Sequence, residues 1–462
     1  MTLRIHDTYQ RSKVDFVPHD AAHVQFYVCG PTVYDYAHIG NARPIVVFDV
    51  LFRLLQRLYP KVTYVRNITD VDDKIITRAA ERGIGIDRLC DDTIECFHED
   101  VAALGALPPD HGPRATEFIS DMIDMIQTLI DGGFAYAEKD GSVYFNIKSF
   151  PDYGRLAKLK INYRKQVNKV KDDEYDKEHP QDFALWKSWK KEDGEYFWDS
   201  PWGKGRPGWH IECSAMSLDT LGSHFDIHCG GVDNMFPHHE NEIAQSVCYT
   251  KDSFVSYWLH SEFLLIDGGK MSKSLGNYYT LKDLQKKGFT PESIRYQLLS
   301  GHYRNKISFS LSKKFESDKI VQRINRFFAL LKSKGAHKSE EEGFPKEYRK
   351  FEIAMNDDLN SPKAIAVFFT WMKQSIKKIE DNDLITRDLY EAWNFLNLFN
   401  NIFGFNEKIS SEYPNRIKKL LEERDSARKK KKWERADLIR IKIANEGWLV
   451  EDTEDGQKLK KI

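Results

Sequence analysis

The heptapeptide FPHHENE, Phe236 to Glu242, carries two histidines and two carboxylates. On a helix His238 and Glu242, four positions apart, would share one face. Two readings compete: a polar helix start with solvated charges, or half of a metal site, for which His-x-x-x-Glu is a loose pattern. Thiols are the other potential ligands. Cys29, Cys90, Cys96, Cys213, Cys229 and Cys248 are scattered through 462 residues with no Cys-x-x-Cys pair. That is not a disulfide framework, and a small buried thiol is the default for each.

Two further segments suit phosphate chemistry. HIGN, His38 to Asn41, opens a helical stretch, where free amides and the helix dipole favour an anion. Gly40 admits a ligand close to the backbone, and His38 adds a charge or a hydrogen bond. KMSKS, Lys270 to Ser274, sets two lysines three apart on a glycine-flanked loop fit to close over a polyphosphate. Either segment alone reads as an ordinary solvated loop. Together, in this order, they point to a nucleotide.

The elements that must hold these residues are legible from periodicity. HVQFYVCG, His23 to Gly30, has strand character and ends at Gly-Pro. ARPIVVFDVLFRLLQRLY has helical apolar spacing at Ile45, Phe48, Leu51, Phe52 and Leu55, with Pro44 suited to a first turn. KVTYVRNIT is a second strand. Strand, helix and strand make a parallel crossover unit, hence an open α/β sheet with Cys29 and Thr69 at carboxyl ends of strands, where such sheets bind ligands. HFDIHCGG, His224 to Gly231, is a strand and glycine turn, followed after Pro237 by a helix, so FPHHENE faces the same crevice as Cys29. Between these halves lie the helix EFISDMIDMIQTLI, the strand GSVYFNI and the charged stretch RKQVNKVKDDEYDKEHP, read as an exposed loop in an insertion. From about Leu311 to Gly404 the pattern is that of an amphipathic helical bundle, interrupted by the polar linker KGAHKSEEEG.

Composition bounds the rest. A 41% hydrophobic chain of this length predicts two to four domains. Lys and Arg number 69 against 70 Asp and Glu, so any pull on nucleic acid must be local. Residues 416–462 supply it, with 15 Lys and Arg against 10 Asp and Glu, centred on RKKKKWERADLIR. PIVVFDVLF, the most apolar run, carries Asp49 and is far short of a membrane span, and the first residues lack the apolar core of a signal peptide. A cytoplasmic, non-membrane protein is expected.

HIGN and KMSKS are the motifs by which the chain resembles the class I aminoacyl-tRNA synthetases. FYVCGPTVYDYAHIGNAR, YVRNITDVDDKII, LPPDHGPRATEFI, DFALWK, RPGWHIECSAM, FDIHCGGVDNMFPHHENEIAQS and LLIDGGKMSKSLGN make it similar, over nearly the whole chain, to the cysteinyl-tRNA synthetase family. The resemblance implies a Rossmann-type parallel-sheet catalytic domain (1–118 and 200–250) with a connective insertion (119–199). It further implies a stem-contact region bearing KMSKS (251–310), an α-helical bundle (311–405) and a small anticodon-binding domain (406–462). It implies zinc held by Cys29, Cys213, His238 and Glu242, with His239 and Glu240 pointing elsewhere, into roles supporting those ligands or into salt bridges. Thr69, Trp209 and His228, with Cys29, would line the cysteine pocket. Gly30, His38, Gly40, Asn41, Gly230, Gly231, Asp233, Lys270 and Lys273 would bind ATP with Mg²⁺, and His38, Asn41, Lys270 and Lys273 would assist the chemistry.

The implied reaction joins L-cysteine to ATP as cysteinyl-adenylate and passes it to cysteine tRNA. Arg428, Trp433 and Asp437 would read the anticodon, by stacking, base-edge contact and backbone charge. A monomer is implied. Asn41 departs from the HIGH form but is usual in the cysteine branch; Cys229 stands where many relatives have glycine. Ligases joining cysteine to an amino sugar share the zinc site and ATP motifs without an anticodon domain, which the basic tail weighs against. A zinc hydrolase is disfavoured because His-Glu-x-x-His is absent.

Overall fold

The computed structural model describes all residues except Met1, 160–168, 171–180, 272–275, 337–342, 382, 384, 406–414, 431, 447, 454–455 and 462. The chain forms two compact units, Met1–Phe405 and Asn406–Ile462. The first is organised by four strands and three helices. These are β1 (His23–Val28), α1 (Ile39–Leu58), β2 (Lys61–Arg66), α2 (Trp209–Leu221), β3 (Phe225–Gly231), α3 (Glu240–Thr250) and β4 (Val255–Ser261).

All four strands are parallel, in the order β4-β3-β1-β2. The order reverses between β1 and β3, and a crevice forms at their carboxyl ends. The sequence reading closed the catalytic domain at residue 250, yet β4 belongs to its sheet. Its register runs Phe225↔Val255 through Gly231↔Ser261, because β3 would otherwise keep an unpaired edge.

Strand alternation sorts the side chains. Phe26, Phe52 and Tyr64 stack on the α1 side, with ring centroids 4.8–6.5 Å apart. Each buried ring of this kind contributes about 1.5–3 kcal/mol. Tyr27 points the other way, into a core shared with Ile211 and Cys213 of α2 and Ile243 and Ala244 of α3. Helix α1 starts earlier than its apolar spacing suggests, so Pro44 lies inside it. The extension exists because His38 caps it: Nδ1 accepts from the Asn41 amide, and the Asn41 side chain accepts from the His38 amide, both at 3.2 Å.

The insertion is not a separate body. Its strands Ala135–Ala137, Val143–Phe145, Lys169–Val170 and Asp182–Ser188 are joined by Gly205–Pro207, so the small sheet runs past residue 199. Phe145, Phe183 and Trp186 share the core that contains Tyr27 and Cys213. Apart from Lys169–Val170, the charged stretch expected as an exposed loop lies almost wholly outside the described residues.

Beyond β4, strands Leu264–Ile266, Gly269–Lys270 and Ile307–Phe309 form the platform for the KMSKS segment. Arg43 of α1 is fully buried and donates to the carbonyls of Glu262, Phe263, His302, Tyr303 and Asn305, tying that platform to the HIGN helix. Helices Lys314–Ser333, Tyr348–Asn356, Ser361–Glu380 and Thr386–Phe403 then pack through Phe327, Phe351, Phe368, Phe395 and Phe399.

In the second unit, helices Asn415–Lys429 and Trp433–Asn445 and the hairpin Trp448–Thr453/Gly456–Lys461 surround Ile417, Ile439, Ile443 and Val450. The basic segment RKKKKWERADLIR is not one continuous helix: one helix ends at Lys429 and the next begins at Trp433. A run of lysines offers no apolar position, while Ile417 can meet Ile439 and Ile443 only if the chain reverses there.

Candidate functional site

Cys29 leaves the end of β1, its amide donating to the Cys229 carbonyl at 3.0 Å. Cys213 lies on α2, and His238 and Glu242 stand at the entry and first turn of α3. The Cys29 and Cys213 sulfurs, a His238 nitrogen and a Glu242 oxygen all lie within 4.8 Å of one another. Donors around a tetrahedral zinc with ~2.0–2.3 Å bonds are ~3.3–3.8 Å apart, so a small contraction closes this set. Two sulfurs, an imidazole and a carboxylate form a donor group that suits zinc.

FPHHENE is therefore not a solvated helix start: His238, His239, Glu240 and Glu242 are each at most 2% exposed. The helix proper begins at Glu240, with the two histidines in a wide turn before it. His238 Nε2 is 3.1 Å from Glu242 Oε1, the i, i+4 geometry expected. Its Nδ1 is 2.9 Å from His210 Nδ1. Burial drives both His210 and His238 down to about 3. Both rings are thus neutral, and a proton on His238 Nδ1 shared with His210 leaves Nε2 with its lone pair free to ligate.

His239 lies against the donor set from behind. Its Nε2 is 3.3 Å from Cys29 Sγ and its Nδ1 2.8 Å from His260 Nε2. Cys29, His228, His239 and Glu242 make a second, overlapping donor group. Glu240 does turn away, accepting from the amides of Gly154 and Ala157 in the insertion. Burial, then Cys213, then Glu242 raise the Cys29 thiol well above its ordinary range.

A cavity of about 220 Å³ opens above these donors. Its walls include Cys29, Gly30, Asn41, Thr69, Trp209, Cys213, Asp233 and His238. Trp209 stacks on His238 with centroids 4.4 Å apart and planes at 28°. Thr69 is anchored through backbone bonds to Pro31 and Val33. His228, expected on the wall, lies behind it: its Nε2 is 2.8 Å from Glu242 Oε2, and Trp258 stacks on its ring. The odd thiol, Cys229, is paired with Val28 in the register and belongs to neither donor group. It is next to His228 on the strand, so it faces the opposite side, towards Tyr64 and Tyr303.

The nucleotide motifs meet beside the cavity. His38 forms an antiparallel bridge with Thr280, just past KMSKS, and the Ile39 amide donates to the Tyr279 carbonyl at 2.9 Å. A Cβ on Gly40 would stand 2.7 Å from the His38 ring and 2.9 Å from Met271 Cε, so a side chain there would displace the His38 cap or Met271. A side chain at Gly30 would collide with the Asn67 carbonyl, and one at Gly231 with Asp233. Lys270 is exposed on its short strand. Lys273 lies outside the described residues. In the second unit Trp433 is 58% exposed, Asp437 is exposed and Arg428 is half-buried.

Sequence reasoning missed His210, His260, Tyr34, Lys74 and Tyr278. Lys74 Nζ lies 5.8 Å from the Tyr34 ring and 6.0 Å from that of Trp209, and all three residues line the cavity. His210 stands three residues before Cys213, a helical spacing that could have flagged it. The others are assembled by tertiary contacts and leave no local pattern.

Comparison with known proteins gives concordant matches. Residues 15–318 match the family described as tRNA synthetases class I (C) catalytic domain. Residues 350–407 match the DALR domain, and 410–458 the cysteinyl-tRNA ligase anticodon binding domain. The chain is 43% identical to a cysteine–tRNA ligase of Chlamydia caviae, covering 100% of this chain and 98% of that one. It is 43% identical to a cysteine–tRNA ligase of Brachyspira hyodysenteriae, covering 99% and 98%. Among solved structures, a Mycobacterium tuberculosis methionyl-tRNA synthetase in complex with methionyl-adenylate aligns at TM-score 0.56 and 13% identity, covering 83% of this chain and 90% of that one. An Agrobacterium radiobacter LeuRS ternary complex aligns at 0.60 and 11%, covering 85% of each. At such identities these two speak for the fold alone.

Proposed function

Since the chain belongs to the cysteine–tRNA ligase family and is an enzyme of that class, we propose that it activates L-cysteine with ATP and selects the substrate thiol through zinc held by Cys29, Cys213, His238 and Glu242. The observation that carries this reading is the convergence of those four donors under a cavity at the sheet's reversal point, beside HIGN. When bound, zinc supplies an affinity for thiolate that a hydroxyl cannot match. Fit alone separates serine from cysteine by about 1–3 kcal/mol, too little for accurate decoding.

The residues divide the remaining work. Trp209 and Thr69 wall the amino-acid pocket, with His228 acting from behind by holding Glu242. The substrate carboxylate attacks the α-phosphorus of ATP, giving cysteinyl-adenylate and pyrophosphate; a hydroxyl of the terminal ribose of cysteine tRNA then takes the cysteinyl group, giving up its proton and releasing AMP. His38, Gly40 and Asn41 hold phosphates at the α1 N-terminus, where amides and dipole favour negative charge. Lys270 and Lys273, brought over the site, stabilise the pyrophosphate as charge develops on it. Gly30, Gly230 and Gly231 let the nucleotide lie against the backbone, Asp233 accepts from the ribose hydroxyls, and Mg²⁺ accompanies ATP. Arg428, Trp433 and Asp437 read the anticodon. The supports for these assignments are the motif matches and, for every residue but Lys273, the position in the described structure.

The test is ATP–pyrophosphate exchange with cysteine or serine on wild type and Cys213→Ser, with bound zinc measured in parallel. Exchange driven by cysteine alone, and lost together with zinc in the variant, is the expected result. A zinc-free wild type that still selects cysteine would remove the metal from the mechanism.

A further inference from the structure

Tyr27 stands two residues before Cys29 on β1 and directly across from His228 on β3, so all three side chains project from one face of the sheet. Its ring lies 4.9 Å from that of His228 and 6.3 Å from that of Phe225. The residue is 0% exposed and shares its core with Cys213, with Cys29 packed alongside. Buried hydroxyls are almost always hydrogen-bonded, yet the Tyr27 hydroxyl meets no partner of proper geometry among the described residues. The polar groups around it are Cys213, Cys29 and Glu242, with Cys213 foremost and near enough for a loose hydrogen bond. A thiol is a weak acceptor. A sulfur carrying charge is a strong one, and a hydrogen bond to it is shorter and better directed.

We propose that Tyr27 is a positioning residue of the metal centre, whose hydroxyl donates to the Cys213 sulfur when that sulfur serves as a zinc ligand. The inference rests on the zinc reading above. Cys213 is carried by α2 and has to meet ligands carried by β1 and α3. A donor fixed on β1, rigid because its strand is paired on both sides, sets the direction from which that sulfur faces the ion. It also gives Tyr27 the partner that its burial requires.

Tyr27→Phe removes one oxygen and keeps the ring packing, so the fold is preserved. Tyr64→Phe is the control: Tyr64 is equally buried on β2, its hydroxyl accepts from Arg66 at 3.2 Å, and it touches no proposed ligand. The full chains are compared by zinc content and by zinc transfer to a colorimetric chelator. The cobalt-substituted proteins are compared by their sulfur-to-cobalt charge-transfer band.

The expected result is a loss of zinc affinity of about 10–100-fold in Tyr27→Phe, with a shifted cobalt band, and neither change in Tyr64→Phe. Equal zinc retention by Tyr27→Phe and wild type overturns the inference. So does an equal loss in both variants, which reports general loosening of the sheet. A wild type that purifies without zinc and takes up none overturns the zinc reading itself, and that is seen before any variant is compared.

Discussion

His260 shows how far a single side chain is committed by its surroundings. It is 6% exposed, its Nδ1 lies 2.8 Å from Thr8 Oγ1 and its Nε2 2.8 Å from His239 Nδ1. Burial first, then His228, Arg11 and His6, lower it to about 3 from 6.5. Between those values the unfolded chain binds a proton that the folded chain refuses. Stability from this group is therefore complete above pH 6.5 and drains away as pH falls towards 3. His260→Gln, which keeps a polar side chain without the titration, should lose about 1 kcal/mol less than wild type between pH 7.5 and 5.5. Urea unfolding at the two pH values measures this, and parallel losses would show that His260 does not carry the effect. The same residue-scale logic separates the cysteines. Burial raises Cys90 to about 12 and Cys248 to about 11, which keeps both protonated and inert, as their default reading supposed.

At the scale of the element, α1 does two jobs that mutagenesis can pull apart. Its N-terminus is capped by His38 and, in the reading above, also holds phosphate. Further along, Asp49 is 1% exposed and pairs with Arg53 and with the buried Arg295, whose guanidinium also reaches the Phe403 and Leu104 carbonyls. The helix is thus held along its length, and substitution at His38 separates the two roles of its first turn. His38→Ala should cost about 1 kcal/mol of stability through the lost cap. His38→Asn should restore the stability, since asparagine caps well, but leave ATP–pyrophosphate exchange depressed by about 100-fold or more. Exchange that recovers along with stability in His38→Asn would reduce His38 to a structural cap.

At the scale of the whole molecule, the chain separates into units at residue 405/406, and the cysteinyl-tRNA ligase anticodon binding domain match falls in the second. The first unit has its own cores and contains every candidate residue for adenylate formation. A chain ending at Phe405 should therefore keep cysteine-dependent exchange within about threefold of the full chain. It should lose tRNA charging by about 100-fold, because the stacking and base-edge contacts proposed for the Trp433 helix go with the tail. Equal loss of both activities would reassign the second unit to supporting the catalytic fold. Among the described residues no helix is long and apolar enough to cross a membrane.

Much of this molecule was determined by order along the chain. The parallel α/β sheet, the helical bundle and the two nucleotide motifs follow from periodicity and short spacings, because strands and helices impose periods of 2 and 3.6 on whatever they bury. The pairing of His238 with Glu242 is of the same local kind. What the sequence left open depended on contacts across long separations. Whether FPHHENE was solvated or buried was decided by Cys29 and Cys213 arriving from other elements. That His239 turns to Cys29 while Glu240 turns to the insertion depends on the wide turn before α3. The position of His228 behind Glu242, the turn of the buried Cys229 to the opposite face of the sheet and the neighbours of Tyr27 depend on the register of β3 against β1. A one-residue shift there would exchange the two faces of the strand, and only the packed sheet fixes which face meets the candidate metal donors.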